Sequence, residues 1–164
     1  MAAVIAAPAL AVALVLPVLE AYRLVEPEAP LFGGPPPSSL ADAITRGYPV
    51  EWAYAFVHAG QDPNAPIAVN APDYTAGTPV TVSPLVLAVA AGQGNTVLML
   101  FNFGARLDLP QNLVAPCLAQ AIGNQEVIGI LARYGPPGPP VPCRAPKPDA
   151  PTPLLRWVEA KDVQ

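Results

Sequence analysis

Charge is what this sequence has least of. Of its 164 residues only 12% are Asp, Glu, Lys or Arg, about half the share of an ordinary soluble domain. Acidic residues outnumber basic ones, 12 to 8, for a formal charge of −4 and a pI near 4.7. No basic field exists to attract phosphate, which excludes a nucleic-acid binder. The same shortage excludes a coiled coil and an acidic disordered chain. Histidine is nearly absent: His58 stands alone. It falls at the end of an expected helix, before Ala59-Gly60, and reads as a surface or helix-end residue. Without a second His or an acidic cluster there is no metal-ligand spacing. No Ser-His-Asp context is visible. The glycine-rich Ala91-Gly92-Gln93-Gly94-Asn95 lacks the lysine and spacing of a phosphate loop. No catalytic residue, cofactor site or metal site is therefore expected.

What is abundant is apolar residues, 52%, and 24 prolines, with a mean hydropathy of +0.38. Neither is spread evenly. Met1 to Leu19 contains no charged residue, and Glu20, Ala21, Tyr22 and Arg23 follow it. A bilayer core needs about 20 apolar residues in a helix, so residues 1–24 are expected as a transmembrane anchor, in contact with lipid through residues 1–22. Pro8 and Pro17 should bend that helix. The alternative is a cleaved secretory signal. It is disfavoured because no Lys or Arg precedes the run and Leu19-Glu20-Ala21 is a poor cleavage site. The charges flanking the run are almost balanced, and the remainder is placed on the periplasmic, non-cytoplasmic side because export is the usual fate of such a start.

Outside the anchor, most prolines fall in three blocks. Residues 27–37 hold five, residues 63–84 another five and residues 136–153 nine. The first and last read as extended spacers, a linker over 25–39 and a strap over 136–151. Either is a stiff connector or a strap that lies on a partner.

Between residues 40 and 135 the chain repeats. Segments 40–65, 83–108 and 115–135 each place an alanine four residues before a glycine: Ala43/Gly47, Ala88/Gly92 and Ala119/Gly123. Gly92 and Gly123 are 31 apart, as are Gly104 and Gly135. A period of this size means stacked supersecondary units. Ser83 is a good N-cap and Pro84 suits a first helical turn. A short helix follows and Gly92 ends it. A second helix, from about Asn95 to Phe103, buries Val97, Leu98, Leu100 and Phe101 and ends at Gly104.

This pattern resembles the ankyrin repeat, whose motif runs TPLHLAxxxG, a second helix, then GADVN or GADPN. Ser83-Pro84-Leu85-Val86-Leu87-Ala88 looks like the first stretch, Gly60-Gln61-Asp62-Pro63-Asn64-Ala65 like the last, and Gly104-Ala105-Arg106 like its opening. The likeness spans about 38–135, some 60% of the chain. There are departures. Val86 replaces the histidine whose imidazole bonds the threonine hydroxyl in the family. Pro116 sits one place late. The first unit has Pro37-Ser38-Ser39-Leu40, where Ser39 and Asp42 keep capping-box spacing. The resemblance implies a fold and a binding role, not a particular partner.

The reading is an all-α protein: a short ankyrin-like helical solenoid preceded by a single transmembrane helix, with Pro-rich extended segments. Segment 66–82 reads as a lengthened inter-repeat loop carrying two binding candidates, Asp73 and Tyr74. Thr152 to Gln164 starts again like TPLL and reads as a short helix that caps the array or docks on a partner. Trp157 is its binding candidate. Cys117 and Cys143 form a bridge if the compartment is oxidising, and otherwise stay free thiols. The expected function is protein–protein interaction, as an accessory or assembly subunit of a larger membrane complex with integral membrane partners. The alternative is a free periplasmic ankyrin module, chaperone-like or inhibitory. An enzyme is not expected.

Overall fold

A computed structural model describes residues 35–135, Cys143 and residues 149–158. The chain divides after Pro36, and the unit Pro37–Gln164 holds the elements below. They run α1 (Leu40–Thr45), α2 (Val50–His58), β1 (Ile67–Val69), α3 (Pro72–Thr75), β2 (Val80–Val82), α4 (Pro84–Ala90), α5 (Gly94–Asn102), α6 (Ala115–Ile122), α7 (Gln125–Tyr134) and α8 (Pro153–Val158).

Three helix pairs stack: α1–α2, α4–α5 and α6–α7. The first helices form one row, α1 against α4 against α6, and the second helices another, α2 against α5 against α7. Local sequence explains each start. The Ser83 hydroxyl accepts the amide of Val86 at 3.2 Å, with Pro84 in the first turn of α4. The Ser39 hydroxyl accepts the amide of Asp42 at 3.1 Å. The reciprocal bond reaches one residue further than a capping box, because the Asp42 carboxylate takes the amide of Ser38 at 2.9 Å. In the third pair the late Pro116 leaves α6 without a side-chain cap. Asn112 organises that approach instead, donating through Nδ2 to the carbonyl of Arg106 at 2.6 Å.

The core follows from the pairs. All of Leu85, Val86, Leu87, Ala88 and Val89 are buried, because α4 is covered on both sides along its row. Ala43, Ala88 and Ala119 are each at most 1% exposed. A larger side chain there would force the first helices apart.

The all-α class is corrected. Segment 66–82 is not a plain loop: β1 and β2 pair antiparallel, Ile67 with Val82, Ala68 with Thr81 and Val69 with Val80. Its residues alternate at period two, with Val69 and Val82 buried and Ala68 and Thr81 exposed, which suits β-branched side chains on one covered face. The membrane-crossing helix of the same expectation is also without support. Among the described residues no helix is long and apolar enough to cross a membrane, and residues 1–24 lie outside them. So do residues 25–34 of the linker, most of the 136–151 strap, and everything after Val158.

Candidate protein-interaction surface

Two hydrogen-bond ladders hold the pairs in register and so decide which side chains line up on the outside. At the turn end, the residue after each first-helix glycine reaches back to the preceding pair. Gln93 Nε2 donates to the carbonyl of Ile44 at 2.7 Å, and Asn124 Nδ2 donates to the carbonyl of Gly92 at 3.0 Å. At the other end the Asn64 side chain does this work, and Gln111 Nε2 donates to the Asn64 carbonyl at 3.3 Å. Asn64 Nδ2 donates to the carbonyl of Gly104, and Asn64 Oδ1 accepts the amide of Arg106, both at 2.9 Å. The GADPN-like stretch thus supplies a connector between pairs.

With the pairs in register, aromatic rings on the second-helix row meet across helices. Tyr54 of α2 lies edge-on to Phe103 at the end of α5, with centroids 5.4 Å apart. Phe101 of α5 stacks on Tyr134 of α7 at 5.1 Å. Tyr54 also stacks on His58 at 5.3 Å. Tyr54 remains 46% exposed, Phe103 36% and Tyr134 41%. Half-covered aromatic rings, two of them with a phenol hydroxyl, suit a protein interface. The sequence reading did not single these residues out. One signal was present: Phe103 and Tyr134 each stand immediately before the glycine that ends their repeat.

At the turn end a groove of about 460 Å³ runs over Gly47–Val50, Ala91–Thr96 and Glu126. The Glu126 side chain lies against Gly94, where a β-carbon would collide with its carboxylate. The ion pairs among the described residues lie on the surface. Arg46 meets Asp42 at 3.5 Å and Arg106 meets Asp108 at 2.6 Å. The hydrogen bond from Arg106 lowers the carboxyl pKa of Asp108 from its usual value.

The residues expected to bind partners take different positions. Asp73 is exposed at the tip of the hairpin. Tyr74 is half-buried against the core, and that burial, with the nearby Asp73 charge second, raises its phenol pKa. Trp157 is only 7% exposed. It is a packing residue of α8, not an open contact, because α8 lies against α3, α4 and α6. The Thr152 hydroxyl fastens that helix, donating to the carbonyl of Tyr74 at 2.6 Å. Cys117 and Cys143 form a disulfide with Cα atoms 5.5 Å apart. Among the described residues no group of His, Cys, Asp and Glu is placed to hold a metal ion.

No family model, curated protein or solved structure matches this chain.

Proposed function

We propose that this chain is a protein-binding accessory subunit whose second-helix row presents Tyr54, Phe103 and Tyr134 to an apolar surface of another protein. The observation that carries this reading is the pair of cross-helix aromatic contacts, Tyr54 with Phe103 and Phe101 with Tyr134. Three half-exposed aromatics on consecutive helix pairs form an anchor row of the kind that dominates binding energy at interfaces. The likeness of Ser83–Ala88 and Gly60–Ala65 to ankyrin repeats points the same way.

We also propose that it works at a membrane, attached through the charge-free Met1–Leu19 run, with its repeat unit on the non-cytoplasmic side. The Cys117–Cys143 bridge supports that side, since disulfides persist in oxidising compartments.

The test is detergent extraction followed by affinity purification and size-exclusion chromatography. The natural chain should elute within an assembly larger than its own 17.0 kDa. The triple variant Tyr54→Ala, Phe103→Ala, Tyr134→Ala should fold and elute free. A natural chain that elutes as a lone monomer, or a triple variant that keeps all partners, overturns the reading.

A further inference from the structure

The carboxylates of this chain differ in what they meet. Asp42 pairs with Arg46 and Asp108 with Arg106, and Asp62 accepts the amide of Asn64 at 2.8 Å. The Glu126 carboxylate, in the first turn of α7, meets no cation and no hydrogen-bond donor among the described residues. It is also the one charged side chain among the described residues that line the turn-end groove of about 460 Å³.

A glycine sets its position. The end of the Glu126 side chain fills the space that a β-carbon on Gly94 would take. Gly94 opens α5, and Gln93 before it supplies no side-chain cap. The positive end of that nine-residue helix helps hold the carboxylate over the groove. Tyr48, from the first helix pair, walls the same groove. Its ring already carries one guanidinium, since the Arg46 Cζ lies 5.2 Å from the ring centroid. That cation is balanced by Asp42 at 3.5 Å. Glu126 has no such balance.

We propose that the groove is a docking site for an arginine-bearing segment of a partner protein, with the guanidinium on Glu126 and the segment lying over Gly92 and Gly94. Charge complementarity selects this occupant. The one unbalanced charge in the groove is negative, so an acidic segment is repelled and a neutral one gains nothing from Glu126. Arginine fits better than lysine, because its planar fork meets both oxygens of a carboxylate at once. Gly92 and Gly94 carry no side chain, so a foreign backbone can come close. The site stands apart from the aromatic row: Gly94 and Glu126 belong to the first turns of α5 and α7, whereas Phe103 and Tyr134 stand at their far ends.

Peptide titration of the full chain, isotope-labelled and held in neutral detergent, tests this by amide chemical shifts. The probes are acetyl-Gly-Arg-Gly-amide, the same peptide with neutral citrulline for arginine, and spermidine as a small free cation. The arginine peptide should shift the amides of Gly92, Gly94 and Asn95 saturably and leave those of Leu118 and Leu155 in place. Citrulline should weaken binding about fivefold, the share of one exposed ion pair. In Glu126→Gln the two peptides should bind alike. Gly94→Ala should turn the carboxylate out of the groove and lose the same factor. Otherwise unchanged spectra show that both variants are folded. The proposal is overturned by the absence of saturable shifts, by equal binding of the two peptides to the natural chain, or by undiminished arginine binding in either variant. Spermidine binding as tightly as the arginine peptide also overturns it, since the groove would then take small cations. None of these outcomes depends on whether the aromatic row binds a partner.

Discussion

Gln93 reaches back 49 residues to place its Nε2 at 2.7 Å from the carbonyl of Ile44, while its Oε1 accepts the Thr96 hydroxyl at 2.9 Å. One amide thus joins the first two helix pairs and braces the start of α5. Asn124 does the equivalent between the second and third pairs, and it also caps α7 by accepting the amide of Val127 at 3.2 Å. Truncating Gln93 to Ala should cost about 1 kcal/mol. Asn124→Ala should cost about 2 kcal/mol, because it loses a cap as well as a bridge. Urea unfolding checks this: both midpoints should fall at unchanged slope, Asn124→Ala further.

Two glycines that are two residues apart should respond oppositely to alanine. Gly92 has φ +68°, and an added β-carbon would lie 3.1 Å from Asn124 Nδ2. Gly92→Ala should lose roughly 1–2 kcal/mol. Gly94 has helical backbone, and the atoms nearest to an added β-carbon belong to the far end of the exposed Glu126 side chain. That side chain can swing into solvent. Gly94→Ala should therefore be neutral or gain up to about 1 kcal/mol of helix propensity. Thermal melts of the two variants separate the effects.

Tyr74 makes stability fall at alkaline pH. Burial, then the charge of Asp73, raises its phenol pKa above the ordinary tyrosine value of 10.0. A raised folded-state pKa means that the unfolded chain releases its proton first. The contribution is therefore complete below the ordinary value and is lost as pH rises through the folded one. Ultraviolet titration should show the Tyr74 phenol ionising above the ordinary tyrosine value. Tyr74→Phe should remove that late step and flatten the alkaline loss of stability.

Outer rings and core side chains should differ in kind. Tyr134→Ala gives up its stack on Phe101 and Tyr54→Ala its contacts with Phe103 and His58, each ring pair worth about 0.5–1.5 kcal/mol. Leu118→Ala empties a position that is 0% exposed and should cost about 2–5 kcal/mol. Denaturant midpoints decide. If Tyr54→Ala were as damaging as Leu118→Ala, the aromatic row would be structural and not free for a partner.

The repeat was legible because its signals are local. An alanine four residues before a glycine, a serine before a proline and an apolar stripe at helical spacing each act within one turn. Gly47, Gly92 and Gly123 do adopt φ values of +68°, +68° and +75°. Gly60 and Gly104, after the second helices, have φ +104° and +89°, but Gly135 in their register has φ −71°, so a period in the sequence did not ensure a common conformation. The hairpin was missed because four alternating β-branched residues are separated by ten others, and nothing local says that Val69 faces Val80. Trp157 was left between two readings for a related reason. An aromatic in a short terminal helix looks the same whether it meets its own chain or another.

Sequence alone determined the pieces of this protein: where first and second helices begin and which alanines let them approach. These depend on backbone preference and spacing over a few residues. Only the tertiary structure decided what the pieces touch. It paired β1 with β2, set Gln93 on Ile44, joined Cys117 to Cys143, buried Trp157 as α8 packed on α3, α4 and α6, and aligned Tyr54 with Phe103. Each of those contacts links residues far apart in sequence, and its energy appears only once packing has brought both partners out of water.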